Sequence, residues 1–216
     1  MRDLRVGNRL GLCAVVTAFV AVLGGFAGGF VHGLPVGTAQ ARAARAEPSS
    51  ASRPLHSGPS LEAMLVAAPA GAQPDAGSPG AESLDQLVAA HLGGDPSRAA
   101  LTARGFASAA ASGWTMGGDH DAIQLIQFND AAAAEGFVLS QDFAYTHDSA
   151  VTASYAVSAV TAGRGFEMAG RAPAGRAVLV GRVGSVVVEV AVVANGAFDR
   201  AADQLLMQRQ VAVLAR

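Results

Sequence analysis

The sequence predicts an α+β fold, carried by one domain behind an apolar N-terminal segment. Three observations predict it. Residues 10–31 contain no charged side chain. From Ser83 onward the hydrophobic pattern switches between the helical period and the two-residue period of strands. Turn-forming residues separate the strand-like stretches closely enough for hairpins, which means antiparallel pairing. The expected architecture is an N-terminal transmembrane helix, then a single domain with an antiparallel sheet. That sheet is built from two hairpin-plus-helix units, with the helices on one face.

The N-terminus reads "MRDLRVGNR", with Arg2, Arg5 and Arg9 against Asp3. These nine residues form a cytoplasmic n-region under the positive-inside rule. The 22 uncharged residues that follow, Leu10 to Val31, would be about 33 Å long as a helix, enough to cross a ~30 Å hydrocarbon core. A signal peptide shares this order of charge and hydropathy, and Ala39-Gln40-Ala41 and Ala44-Arg45-Ala46 offer small residues for cleavage. Both readings, anchor and cleaved signal, put the rest of the chain outside the cytoplasm. Gly24, Gly25, Gly28 and Gly29 give the four-residue spacing that lets two membrane helices approach closely.

Residues 32–82 are rich in Ala, Pro, Ser and Gly, a composition expected of a flexible linker. "SLEAMLVAAP" interrupts it with a short helix near 61–66, started by Ser60 and stopped by Pro69.

The domain is expected over residues 83–216. Ser83 and Gln86 have the capping-box spacing, and Leu84, Leu87, Val88, His91 and Leu92 then trace one helical face. Asp95 and Pro96 start a second helix that Gly105 ends. "FASAAASGWTM", a turn at "GGDHD" and "AIQLIQF" form a hairpin, and Asn129 or Asp130 caps a helix to about Phe143 with Phe137, Leu139 and Phe143 inward. "ASYAVSAV" reads as an extra strand and residues 162–170, "AGRGFEMAG", as a loop. "RAVLVGR" and "VVVEVAVVAN" form a second hairpin whose valines mark the sheet centre. A helix from about Asp199 to Ala215 closes the chain, with Leu205, Leu206 and Val213 expected inward.

The Gly105-Phe106 step, Trp114 before its hairpin, the "IQLIQF" strand and the Val-rich strand followed by "RAADQLLMQRQ" resemble a group of uncharacterised actinobacterial exported or membrane-anchored α+β proteins. The resemblance covers residues 61–216. More distantly, the layout is similar to the extracytoplasmic sensor-type domains of mycobacterial kinases and lipoproteins, which carry disulfides that this chain lacks. Neither resemblance brings an activity with it.

Composition narrows the function classes. All 15 basic residues are arginine, and from Ser83 onward nine arginines meet twelve acidic residues. A domain near −3 without an arginine cluster is not built for nucleic acid. The single cysteine, Cys13, precludes an internal disulfide and a cysteine-based zinc site. No nucleophile elbow, phosphate loop with lysine, His-Glu-x-x-His or Cys-x-x-Cys occurs. No cofactor and no catalytic residue is expected.

Two sets of residues carry what chemistry there is. Asp119, His120 and Asp121 stand together at the first hairpin turn and would need His147, beside Asp148, to complete a metal site. Arg164, Arg171, Arg176 and Arg182 fall within 19 residues and could bind an anionic ligand by bidentate contacts. The expected function is a membrane-tethered extracytoplasmic binding or sensor-type module, whose partners are the membrane, through the N-terminal helix, and an envelope protein or small ligand. The alternatives are a secreted metal-dependent or hydrolase-like enzyme using the His120 and His147 regions, and a purely structural envelope protein.

Overall fold

A computed structural model describes residues 59–89, 95–169 and 175–216. Eight antiparallel strands form one sheet. They are β1 (Gln73–Pro74), β2 (Gly80–Glu82), β3 (Phe106–Met116), β4 (Asp119–Phe128), β5 (Val151–Ala156), β6 (Thr161–Met168), β7 (Gly175–Val183) and β8 (Val186–Ala194). Their order is β1-β3-β4-β8-β7-β6-β5, with β2 sharing the outer edge of β3. Four helices accompany them: α1 (Leu84–Leu87), α2 (Asp95–Ala103), α3 (Ala131–Thr146) and α4 (Arg200–Leu214).

Local chemistry starts and stops these elements. Ser83 and Gln86 complete a reciprocal capping box at α1. The Asp130 side chain accepts from the Ala133 N–H at the start of α3, and that of Asp199 accepts from Ala201 and Ala202 at the start of α4. The β3–β4 turn consists of Gly117 and Gly118, both with positive φ, the conformation a two-residue hairpin needs. Asp119, His120 and Asp121, expected in that turn, are instead the first residues of β4.

Helices cover both faces of the sheet, which corrects the one-face expectation. On one side, Leu206 and Met207 of α4 pack with Trp114, Ile123, Leu125, Leu179, Val188 and Val190. On the other, Phe137, Val138 and Tyr145 of α3, with Leu87 and Leu101, pack with Ile126, Phe128, Phe166, Val178, Val180 and Val187. The reason is visible in β8. Every residue from Val187 to Val192 is buried, because a strand between two apolar layers loses its alternation. The two hairpin-plus-helix units therefore share order, but their helices leave toward opposite faces.

Helix phase accounts for two further differences. In α3 the buried positions are Ala134, Phe137, Val138, Gln141 and Tyr145, which leaves Leu139 and Phe143 exposed. In α4 they are Asp203, Leu206, Met207 and Gln210, so Leu205 is exposed and Val213 only partly covered.

The packed module also reaches further toward the N-terminus than residue 83. A 3-10 turn, Glu62–Met64, sits between Leu61 and Leu65, both buried against the α4 side. Gln210, fully buried, accepts from the Val66 N–H at 2.9 Å and donates to the Met64 carbonyl at 2.7 Å. β1 and β2 add to the edge of β3, where a proline in the strand is tolerated. The stretch 162–170, expected as a loop, is mostly strand β6, paired with β5 and β7. Its Gly165 faces the Tyr155 ring so closely that any Cβ there would collide with it. The glycine that looks like a loop signal in sequence is room for a tyrosine.

No helix among the described residues is long and apolar enough to cross a membrane. Residues 10–31, with Gly24, Gly25, Gly28 and Gly29, lie outside the described residues, as do Cys13, His91 and Arg171.

Candidate functional site

A group of interacting charges surrounds the start of α4. β4 contributes Asp119 and Asp121, β6 contributes Glu167, and α4 brings Asp203 with its N-cap Asp199. Most of these carboxylates have a donor. Asp121 Oδ2 accepts the Trp114 indole N–H at 3.1 Å, Asp119 Oδ1 accepts the Asn195 N–H at 2.9 Å, Asp199 caps its helix, and Glu167 binds Arg200. Arg200 also lies over the Tyr155 ring, 5.0 Å from its centroid.

Asp203 differs. It is 6% exposed, and its Oδ2 has no hydrogen-bond partner among the described residues. Burial drives its carboxyl up to about 6, and the charges of Asp121, Asp199, Glu167 and Asp119 push the same way. Asp121 is raised as well, mainly by burial, while the Trp114 bond and His120 pull it back. The Tyr155 hydroxyl, buried without a hydrogen-bond partner among the described residues, is pushed up to about 12 by burial and by Asp203. The arrangement can hold a proton at a pH where an ordinary aspartate would have lost it.

The two described histidines have separate roles. His120 Nε2 lies 2.8 Å from Asp75 Oδ2, joining the start of β4 to the segment after β1. His147 caps α3: its Nδ1 lies 2.8 Å from the Phe143 carbonyl, and its ring stacks on Phe143 at 4.1 Å. Among the described residues no three His, Cys, Asp or Glu side chains are placed to hold a metal ion.

The described arginines of the expected anion site are engaged with α3 or its surroundings. Arg182 pairs with Glu135 at 3.0 Å and Arg164 with Asp142 at 3.4 Å. Arg176 acts on the buried Tyr145 hydroxyl, whose pKa is raised by burial and by Glu189. Trp114, Phe128 and Phe137 fill the core, each at most 2% exposed.

Asp203 escaped the sequence reading because a lone acid on a helix normally faces water. The signal was its position: it stands three and four residues before Leu206 and Met207, on the stripe that packs inward.

No family model matches the chain. No curated protein matches it either. Among solved structures, the extracellular domain of PknH from Mycobacterium tuberculosis is similar at a TM-score of 0.49 and 13% identity, over 71% of this chain and 94% of that one. The likeness is weak, and no family is assigned from it.

Proposed function

We propose that the protein is a membrane-tethered extracytoplasmic module of the binding or sensor type. The observation that carries this reading is the uncharged run Leu10–Val31 behind Arg2, Arg5 and Arg9, long enough to span a bilayer and oriented by its arginines. Residues 32–58 then separate the run from the described module. Among the described residues, His120 and His147 are engaged in separate structural contacts, which gives the metal-dependent alternative no shared centre.

Cell fractionation with N-terminal sequencing tests the reading. The expected result is an intact Met1 chain in the membrane fraction, with the module open to protease from the outside. A soluble chain starting near Arg42 or Glu47 overturns the tether and leaves a secreted module. A full-length chain in the cytosol overturns both.

A further inference from the structure

We infer that Asp203 is the proton-binding group of an acid-responsive latch, which seats the first turns of α4 on the sheet when it is neutral and repels Asp121 when it is ionised.

Geometry carries this. Asp203 lies on the inward stripe of α4 with Leu206, Met207 and Gln210, so its carboxyl is inside the packed layer. Its Oδ2 is buried and lacks a hydrogen bond. An ionised carboxylate in that state carries a much larger uncompensated desolvation cost than a neutral one. The groups around it on that side of the sheet are Asp119 and Asp121 from β4, Tyr155 from β5, Glu167 from β6, and Asp199 and Arg200 from α4, whereas His120 alternates to the other face. The one cation among them, Arg200, is taken by Glu167. The negative charges around Asp203 are thus left to act on it, and a proton is the smallest species that relieves them.

The inference deepens the sensor reading by naming the proton as what is sensed. It depends on that reading for its biological role, not for its physics. A soluble chain in the fractionation experiment would remove the tether and leave the latch standing.

Trp114 supplies the test. It is the only tryptophan of the chain, is fully buried, and donates to Asp121. Its emission in the full chain, held in detergent micelles, is to be followed between about pH 5 and about pH 8. The expected result is a transition with its midpoint at about 6 that is missing from Asp203→Asn. The thermal midpoint of that variant should exceed the wild type at about pH 7.5 by roughly 3–8 °C, a difference that shrinks as pH falls and closes at about pH 4. An unchanged transition in Asp203→Asn overturns the inference, as does a wild type without one. If circular dichroism shows Asp203→Asn unfolded, Asp121→Asn takes its place. It keeps an acceptor for Trp114 and removes the charge that weighs most on Asp203, so the midpoint must move to lower pH. A fixed midpoint overturns the inference.

Discussion

Trp114 and Asp121 face each other across the β3–β4 pair, and the indole N–H of one reaches Oδ2 of the other at 3.1 Å. The bond holds a half-buried carboxylate in place beneath the start of α4 and is the strongest influence keeping its pKa down. Trp114→Phe keeps most of the apolar volume and deletes the donor. It should cost about 1–3 kcal/mol, the price of a buried acceptor left unmet. The sign with pH follows from the direction of the shift. Without the indole the folded-state pKa of Asp121 rises further above its unfolded value, so the deficit grows as pH rises. Urea unfolding at about pH 5 and about pH 7.5 checks both the size and the slope.

Glu167 behaves in the opposite sense. Its hydrogen bond to Arg200 holds its carboxyl below the usual range. The stability it lends is therefore present above the unfolded pKa and lost as pH falls through the folded one. Arg200→Gln should lower the thermal midpoint modestly at neutral pH, with the difference closing at about pH 3. A calorimetric series against pH would show the two melting curves converging.

Phe137 and Phe143 test the phase of α3. Phe137 is 2% exposed and stacks on Phe128 at 5.4 Å, whereas Phe143 is 66% exposed. Phe137→Ala should destabilise by about 3–5 kcal/mol, and Phe143→Ala by no more than about 0.5 kcal/mol. Chemical denaturation of the two variants side by side decides it; equal losses would mean that the helix is rotated from the orientation described.

Gln210→Leu keeps the inward stripe of α4 apolar but strands the Val66 N–H and the Met64 carbonyl. Two unmet backbone groups at roughly 1–3 kcal/mol each give an expected loss of about 2–6 kcal/mol. Hydrogen exchange should show the 61–67 segment opening before the sheet does.

Much of the fold was legible because local chemistry fixed it. Ser83 with Gln86, Asp130 and Asp199 mark helix starts that the structure keeps, and the two long hairpins are where alternation and glycine place them. What escaped depends on partners distant in sequence. β1 and β2 are two and three residues long, too short for any period to show, and exist because β3 offers an edge. Gly165 suggested a loop because nothing local announces that Tyr155 will lie over it. The two-sided burial of β8 was present in its valines, but the choice of face for each helix is a tertiary outcome. At the candidate site, the run Asp119-His120-Asp121 drew attention by adjacency. Strand alternation turns such neighbours to opposite faces, whereas Asp203, 82 positions after Asp121, is brought to it by the fold.

The bonds of Gln210 join positions 144 and 146 residues apart, and they lie close to the point where the chain enters the folded body. Traction applied from the N-terminal side would reach this clamp and α4 before any strand was strained. The eight-stranded framework would be spared while the first pieces to yield were the entry arm and the helix that also carries Asp203. Pulling on the entry arm and ionising that aspartate would then act on one and the same lever.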